Sequence, residues 1–578
     1  MMKWMLIGAL GLTLACAGSD ADFKDGSSDN DNSFNNPNNP NQGPNEPNNP
    51  PPEEEDEFEF SSPAVAGDRI FVANETLNAV AVIDSESLRI SSVPVGFKPT
   101  VVAGAESNIF VLNEGSSTVT RIDPETLKTQ TFSVMRRAND LVVSPDGSTA
   151  FSWFNATKPA ANLSGQADLS AVSIITADAS YQLAVGFDVR EVRFSENGEF
   201  ALIISADGIS RIRVTDITGD AIVPPVSLGS GEVREVLVDA TGRWALGRRV
   251  GLNGMFMVDL ETGELTDLEL GLTPSDLDWV DANRLLATFR NDSLGGLNST
   301  AALIAIPEGI QALAELEPVI PPDPDMGSDM DDMGDMTDMD MGTDPDADMA
   351  DMPADMGMMV QVVEGVEVLD LEIDGLGAAE VAPAGNHALI FSTIGSERRA
   401  ILLDLDTLEQ RPLAFEKGVR GAVADSFGRT FVVIHDRVNE PILPSMTPLD
   451  PEYIERSWAV SLVNVAGADN RLVLTSHYPD LATLWSDEEG LVKLYMTFGP
   501  QDGEPVLETH QDLLVANLET FATSTTRLAG VPEGLGVVSS ERQVFISQRH
   551  PQGRMTFIDV DDESRQTVTG YQLNAGID

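Results

Sequence analysis

The amino-acid sequence predicts an all-β protein, a β-propeller with roughly 7–10 four-stranded blades of about 40–45 residues each. Two recurring strand markers support this fold class, one at the end of a hairpin strand and one at the turn that precedes it. A third observation is composition, because 42% hydrophobic and 22% charged residues are ordinary for a chain that folds.

The first marker is an apolar strand that ends in Asp or Asn and continues through a polar turn into another strand. Asp, Ser, Thr and Gly satisfy exposed backbone groups in a hairpin turn, so each copy predicts a hairpin. Asp84 and Asp123 are 39 residues apart, and Asn517 and Asp559 are 42 residues apart. The clearest copies end at Asp84, Asp123, Asp259, Asp404, Asn517 and Asp559.

The second marker is a strand, a turn that contains glycine, and another strand, and it precedes the hairpins of the first marker. Its copies have their turns at Gly147, Gly198, Gly242, Gly385 and Gly428. Together the markers predict about six repeats in residues 61–316 and about four in residues 360–578. We expect one ring, with two smaller propellers as the alternative.

The first two repeats resemble a known family. Residues 70–84 and 109–123, together with Gly96-Phe97-Lys98-Pro99, are similar to the YVTN family of surface-layer-type propeller repeats. The resemblance implies an extracytoplasmic propeller. That family is functionally mixed, so the resemblance predicts no reaction.

The N-terminus predicts export. Residues 1–15 contain Lys3 and a short apolar run, as in a signal peptide, and they end directly before the single cysteine, Cys16. This arrangement resembles the lipobox of bacterial lipoproteins, although Thr13 stands where leucine is usual. The resemblance implies acylation of Cys16, and Ala17 in place of Asp implies the outer membrane, facing the periplasm or the cell surface. The alternative is an ordinary secretory signal with an incidental cysteine.

Two segments have low-complexity composition. Residues 16–60 are rich in Asn, Pro and acidic residues and cannot bury enough apolar area to fold, so we expect a disordered stalk. Residues 317–359 contain 13 Asp and 11 Met and no basic residue. A third strand at residues 303–306 precedes this tract, and a candidate fourth strand at residues 366–373 follows it. The tract is therefore predicted to be a disordered insertion in the outer hairpin of one blade.

The acidic tract contains weak candidates for a metal-binding site. Asp323, Asp325 and Asp329 resemble the start of a calcium loop, but Gly334 stands where the bidentate Glu should be. The methionine thioethers could bind Cu(I). The favoured interpretation is a solvated spacer without metal, and calcium is the one cofactor left open.

Charge and cysteine content exclude several classes. A formal net charge of −58 argues against a nucleic-acid partner. One cysteine excludes an internal disulfide, an iron–sulfur cluster and a zinc ribbon. The sequence contains no catalytic motif for a metalloprotease, a serine hydrolase or a phosphate-binding loop. The five histidines are not spaced as ligand pairs, although a propeller could bring distant ones together.

A set of cations recurs just before the inner strands of the blades. These positions lie near the mouth of the central channel, where cations on an acidic body would attract an anionic ligand or an acidic partner. The alternative is that Arg190–Glu191 and Arg234–Glu235 form salt bridges with neighbouring blades. The predicted set is Lys98, Arg137, Arg190, Arg234 and Arg420.

These observations predict a membrane-anchored, extracytoplasmic lipoprotein that acts as a non-enzymatic binding scaffold. Its expected partners are the membrane, through the lipid, and a protein or glycan at the cell surface or in the periplasm. No catalytic residue is assigned. The alternatives are an exported hydrolase or lyase, similar to a lactonase or a polysaccharide lyase, and a calcium-dependent surface adhesin.

Overall fold

The computed structural model shows a ring of blades. It describes residues 64–105, 107–158, 169–249, 254–269, 274–291, 298–314, 364–383, 385–393, 397–475, 477–487, 491–500 and 509–572. The predicted signal peptide, the stalk and the acidic tract lie outside these residues. Within the described part of the chain, no helix has the length and apolar character needed to cross a membrane.

Ten sheets follow one another in chain order, which fixes the blade count at the top of the predicted range. Eight of them have four strands in sequence order. The first strand of one blade contacts the first strand of the next, as in β1 (Ala64–Ala66) against β5 (Pro99–Ala105). The first strand of each blade is therefore innermost, beside the channel.

Blades 1 to 5 contain the first half of the strands. Their remaining strands are β2 (Arg69–Asn74), β3 (Ala79–Asp84), β4 (Ile90–Pro94), β6 (Asn108–Asn113), β7 (Thr118–Ile122), β8 (Thr129–Ser133), β9 (Asp140–Val143), β10 (Ala150–Trp153), β11 (Ala171–Ile175), β12 (Ser180–Ala184), β13 (Val189–Phe194), β14 (Phe200–Ser205), β15 (Gly208–Arg213), β16 (Ala221–Ile222), β17 (Val233–Val238), β18 (Trp244–Arg249), β19 (Gly254–Asp259) and β20 (Leu265–Glu269).

Blades 6 to 10 contain four strands each. These are β21 (Pro274–Asp281), β22 (Arg284–Asn291), β23 (Asn298–Ala305), β24 (Val366–Asp370), β25 (Ala378–Val381), β26 (His387–Phe391), β27 (Arg399–Asp404), β28 (Gln410–Ala414), β29 (Val419–Ala424), β30 (Thr430–His435), β31 (Trp458–Asn464), β32 (Asp469–Thr475), β33 (Tyr478–Ser486), β34 (Val492–Gly499), β35 (Asp512–Asn517), β36 (Thr523–Arg527), β37 (Pro532–Val538), β38 (Gln543–Gln548), β39 (Arg554–Asp559) and β40 (Arg565–Thr569).

Blade 4 departs from the predicted four-stranded pattern. Its sheet contains only β13, β14 and β15. The segment that should form a fourth strand divides, because β16 pairs parallel with β12 of blade 3 and Val226 forms a bridge with Ile209. This exchange makes blade 3 five-stranded and links the two blades through backbone hydrogen bonds.

The acidic tract interrupts blade 6 at its outer hairpin. Strand β23 before the tract pairs antiparallel with β24 after it, with Ile304 opposite Val366. A short helix that the sequence markers did not predict, α1 (Glu308–Ala314), follows β23. A second unpredicted helix, α2 (Pro451–Arg456), lies in the long connection of blade 8 and begins with proline at its first position.

Apolar clusters lie between neighbouring blades all around the ring. Each sheet buries both faces against adjacent sheets, so its strands are apolar on both sides. The ring closes where Ile70 and Ile83 of blade 1 pack with Phe545 and Phe557 of blade 10. Four tryptophans fill gaps between blades, because Trp153, Trp244, Trp279 and Trp485 belong to or pack against these clusters.

The recurring Asp and Asn residues have a local structural role. The Asp84 carboxylate accepts a 2.7 Å hydrogen bond from the Ser87 N–H. The Asn517 side-chain oxygen accepts a 2.8 Å bond from the Thr520 N–H. These Asx turns close the hairpin between the third and fourth strands. In the turn between the first and second strands, Gly198 has φ of +70°, which explains the glycine of the second marker.

The antiparallel order places different connections on the two faces of the ring. Turns between strands one and two, and between three and four, lie on one face, here called the turn face. Crossings from one blade to the next, and connections between strands two and three, lie on the other, here called the crossing face. The predicted cations lie on the crossing face, where the inner strands begin.

Candidate functional site at the channel mouth

Three of the predicted arginines occupy one structural position. Arg190, Arg234 and Arg420 are the second residues of the inner strands β13, β17 and β29. The register of all three strands shifts at that residue, which marks a β-bulge. A bulge leaves one residue unpaired and redirects its side chain. Seven of the ten inner strands have a bulge near their first residues, at the end beside the crossing face.

The other two predicted cations occupy a different position. Lys98 and Arg137 lie in the crossings before β5 and β9, with φ of 55° and 67°. Asp188 before β13 has φ of 58° and is their equivalent. Lys98 and Arg190 each stand four residues before an apolar strand residue, Val102 or Phe194, and this spacing predicts equivalent positions, but the bulge residue of β5 is Thr100. The sequence comparison was wrong there because β5 extends further beyond Val102 than β13 extends beyond Phe194.

The cations have partners that spacing did not identify. Lys98 Nζ lies 3.2 Å from a Glu114 carboxylate oxygen, and Arg190 Nε lies 3.6 Å from Asp188. Arg420 lies 3.8 Å from Asp436.

The alternative expectation is that Arg190–Glu191 and Arg234–Glu235 form salt bridges with neighbouring blades, but each of the two carboxylates accepts a hydrogen bond from an arginine of its own blade. Glu191 accepts a hydrogen bond from Arg193. Glu235 accepts one from Arg248 and is buried, so it is not a rim residue.

Aromatic rings accompany the cations on the crossing face. Phe97 and Phe187 occupy equivalent crossings and are 62% and 52% exposed. Their backbones are fixed, since the Phe97 N–H donates to Ser116 Oγ at 3.0 Å and the Phe187 N–H donates to Asp207 at 2.7 Å. The crossing face of blades 2 to 5 therefore presents held, solvent-exposed rings beside positive charge.

A second group of aromatic and basic residues lies on the crossing face of blades 8 and 9. Trp458 and Tyr478 pack edge to face at 5.0 Å. The Arg420 guanidinium lies 5.3 Å from the Tyr478 ring, and the Arg437 guanidinium lies 4.8 Å from the Trp458 ring. Such stacked guanidinium–aromatic pairs hold the charge in a fixed orientation.

The ring brings two distant histidines together beside this group. His477 and His510 are in edge-to-face contact with ring centroids 4.3 Å apart. Asp480 lies at the bulge of β33; partial burial raises the pKa of this carboxyl, and the charge of His510 opposes the rise. His435, by contrast, is buried between Gly418 and Ser461, and burial lowers its pKa to about 4.

Carboxylates line the inner strands of blades 5 to 7. Glu235 on β17, Asp276 and Asp278 on β21 and Glu380 on β25 interact electrostatically with one another. Two of them join inner strands of adjacent blades. Asp276 accepts a 2.7 Å bond from the Ala379 N–H, and Glu380 accepts a 3.0 Å bond from the Ala424 N–H.

Burial controls the protonation of this carboxylate group. It raises the pKa of Glu235 to about 7, because desolvation outweighs the attraction of Arg248. It raises the pKa of Glu380 to about 8, against the hydrogen bond from Ala424. Burial and the carboxylates of Asp276 and Glu380 together raise the pKa of Asp278 well above its ordinary value. The channel wall therefore holds protons near neutral pH.

The weak candidates for a metal site are not among the described residues. Asp323, Asp325 and Asp329, like the lipidation candidate Cys16, lie outside the described residues. Across the part of the chain that is described, no three His, Asp or Glu side chains are arranged to hold a metal ion.

No family model matches the chain, and no curated protein matches it. The resemblance to YVTN repeats therefore rests on the sequence motifs alone.

The solved structures that match the chain do so at low similarity. A dihydro-heme d1 dehydrogenase, NirN, in complex with DHE is 10% identical, with 90% of this chain and 78% of that chain covered and a TM-score of 0.35. A eukaryotic initiation factor is 7% identical (87% and 96% covered, TM-score 0.43), and Citrobacter koseri AztD is 11% identical (78% and 92% covered, TM-score 0.35). At these values no function transfers.

Sequence reasoning found the arginines but missed the carboxylates and the aromatic group. A signal existed for two of the carboxylates, because Glu235 and Glu380 each stand within a short inner strand that is otherwise mostly apolar. An acidic residue in the middle of a buried strand is rare unless it has a partner. Nothing in the local sequence connects His477 with His510, since their contact depends on how β33 and β35 begin.

The raised pKa of Glu380 predicts a pH-dependent stability. The contribution of a carboxyl with a raised folded-state pKa is complete below its unfolded pKa, and it is lost as pH rises through the folded value, here about 8. As pH rises from the ordinary carboxyl value of 4.5 to about 8, we expect the unfolding free energy of Glu380→Gln to increase relative to that of the wild type by roughly 1.4 kcal/mol per pH unit. Urea unfolding at several pH values measures the difference. The exposed Glu86→Gln is the control, and parallel wild-type and Glu380→Gln curves would contradict the assignment.

Proposed function

We propose that this chain is an exported, lipid-anchored propeller that binds an anionic extracytoplasmic partner on its crossing face, without catalysing a reaction. The observation that carries the proposal is the shared bulge position of Arg190, Arg234 and Arg420. Three equivalent inner strands each have an arginine at the crossing-face end of the channel, in a protein with net charge −58. On such a body, cations gathered at one place favour an anion.

The neighbouring rings support the same interpretation. Exposed aromatic side chains add contact area and stack on sugars or peptide groups, and arginine binds carboxylates in a planar, bidentate way. Phe97, Phe187 and Tyr478 lie on the crossing face with the arginines. An acidic glycan or an acidic peptide segment fits this combination of planar rings and guanidinium groups.

The location rests on sequence. The lipobox-like segment ending at Cys16, the resemblance to YVTN repeats and residues 16–60 as a stalk together support anchoring in the outer membrane, with the propeller held away from the lipid. Because multiple acyl chains anchor stably where one is marginal, a triacylated Cys16 would suffice.

The arginine positions are tested by charge reversal. We expect Arg190→Glu/Arg234→Glu/Arg420→Glu in the full-length protein to reduce co-purification of crosslinked partners from intact cells at least tenfold. The matched control is Arg471→Glu/Arg527→Glu/Arg565→Glu, which makes the same charge change on exposed arginines of outer strands. Equal recovery of partners with both variants would refute the proposed surface. Digestion of the recovered material with glycosidases or proteases identifies its class.

The anchor is tested separately. We expect Cys16→Ser to abolish incorporation of labelled palmitate and to release the protein from the membrane fraction, with the propeller still folded. Fractionation and labelling of wild type and variant measure both effects. Labelled lipid on the Cys16→Ser protein, or unchanged membrane association, would contradict lipidation at this residue.

A hydrolase or lyase is the second candidate, favoured by the contact between His477 and His510 beside Asp480. Such a pair could exchange a proton with a substrate at the channel mouth. If so, the wild-type protein turns over a uronate-containing glycan or a lactone, and His510→Gln abolishes turnover while Arg190→Glu leaves it measurable. Wild-type protein inert toward both substrate classes removes this candidate.

A further inference from the structure

The polypeptide enters the ring from the crossing face, because β1 is an inner strand and runs from that face to the turn before β2. Residues 53–60, here called the entry segment, come shortly before β1 and lie outside the described residues. Their sequence is Glu-Glu-Glu-Asp-Glu-Phe-Glu-Phe, so every side chain is acidic or aromatic. A run of like charge of this density is typical of an interaction segment.

Two adjacent arginines in the crossing from blade 2 to blade 3 lack the carboxylates that accompany other cations of this face. Arg136 is exposed, and Arg137 is half-buried with its guanidinium 5.3 Å from the Phe154 ring. Throughout the described ranges, no carboxylate lies at ion-pair distance from either arginine. Lys98 and Arg190, by contrast, each face one. The crossing therefore presents two positive charges without an acidic partner in the described part of the ring.

The backbone of this crossing is held by blades 2 and 3. The Val134 N–H donates to the Ser117 carbonyl at 3.0 Å, and the Met135 N–H donates to Ser173 Oγ at 2.8 Å. Because the arginines follow directly on this anchored backbone, a ligand that binds them does not have to order a loop first.

The order of residues along the entry segment matches the order of groups around the ring. The inner strands of blades 1 and 2 come within 8 Å of each other, Cα to Cα, and so do those of blades 2 and 3. Phe97, 62% exposed, lies in the crossing into blade 2, between the chain entry and Arg136. Phe60 and Glu53 are four and eleven residues before Ala64, so they reach at most about 14 and 40 Å from it. This reach allows the phenylalanines of the segment to meet Phe97 and its carboxylates to meet the two arginines.

The opposite direction, over blade 10, offers no such charge. The crossing there, residues 529–532, contains no basic residue. Arg549 lies beside it but is paired with Glu533 at 2.8 Å. Charge complementarity therefore favours the path over blades 2 and 3.

We propose that the entry segment binds the ring in cis, with its carboxylates on Arg136 and Arg137 and its two phenylalanines against Phe97. Arginine binds carboxylates in a planar, bidentate way, and aromatic pairs add contact area beyond the charges. Recognition of an acidic motif by clustered arginines is a recurrent mode of peptide binding. The contact uses none of the three bulge arginines, so it stands or falls separately from the partner proposed above.

A distance between two spin labels on the full-length protein tests the contact. One label is placed at Glu55→Cys in the entry segment and the other at Ser133→Cys, an exposed residue near Arg136, with Cys16→Ser removing the native thiol. We expect a narrow distance distribution by double electron–electron resonance, because a bound segment holds the first label at one place on the ring. Tenfold dilution with unlabelled protein should leave the distribution unchanged.

Charge reversal tests the arginines. We expect Arg136→Glu/Arg137→Glu to broaden the distribution at least twofold, because the new carboxylates repel the segment. The matched control, Arg471→Glu/Arg527→Glu, makes the same charge change on outer strands and should leave the distribution narrow.

Charge removal tests the segment without altering the ring. The neutralised form should broaden the distribution as the arginine variant does, whereas the same charge change in the acidic tract should not. The two sets are Glu53→Gln/Glu54→Gln/Asp56→Asn/Glu57→Gln and, as the control, Asp329→Asn/Asp331→Asn/Asp335→Asn/Asp338→Asn.

Four results would each overturn the proposal. They are a broad distribution in the protein with both sites unaltered, a distribution that Arg136→Glu/Arg137→Glu leaves narrow, equal broadening by either matched control, and loss of the short distance on dilution. The last result would assign the contact to a second copy of the chain. A narrow distribution combined with no recovered external partner would leave this contact standing and remove only the function proposed above.

Discussion

Face-to-face packing between neighbouring sheets is the constraint on which the ring depends. A single blade has two apolar faces and cannot bury either alone, so stability comes from each blade's neighbours. The closing junction relies on the same packing, because blade 1 is built wholly from the first strands and blade 10 wholly from the last. Polar contacts supplement it there, with Asn74 donating to the Gln572 carbonyl at 3.1 Å and Ser540 donating to the Gly67 carbonyl at 3.2 Å.

The inner strands show how the ring combines structure with polar chemistry. Each is paired on only one side within its sheet, and its residues meet the next inner strand through side chains. Asp276 and Glu380 make this contact through backbone N–H groups of the following blade. Because these links are buried, they alter protonation as well as holding strands together. The buried carboxylates of the inner strands therefore hold the strands together and also titrate at raised pKa values.

The features that depend on contacts within a few residues of the chain were predictable from the sequence. The Asp and Asn hairpin markers were reliable because each makes hydrogen bonds within its own turn, and Gly198 was reliable because its positive φ is a local requirement. Counting such turns predicted roughly 7–10 blades, of which the ring has ten, and placed the acidic tract in an outer hairpin.

Features that depend on assembly were not predictable. The strand exchange of β16 rests on two residues with no distinctive pattern, Ala221 and Ile222. The position of Lys98 relative to Arg190 depends on the bulge of β5, which is visible only in the strand register. The contact of His477 with His510 and the carboxylate group on three blades arise from residues far apart in sequence. Only closure of the ring brings them together.

The outer hairpin of blade 6 also allows the length of the segment between its two strands to vary in evolution. Its two strands stay paired although about sixty residues separate Ala305 from Val366. Each doubling of such a loop costs only about 0.6 kcal/mol in closure entropy, so Asp-Met units can be gained or lost by replication slippage with little penalty to folding. Lineages are then free to vary the length of this acidic segment while selection maintains the blades, and strain-to-strain polymorphism should concentrate there.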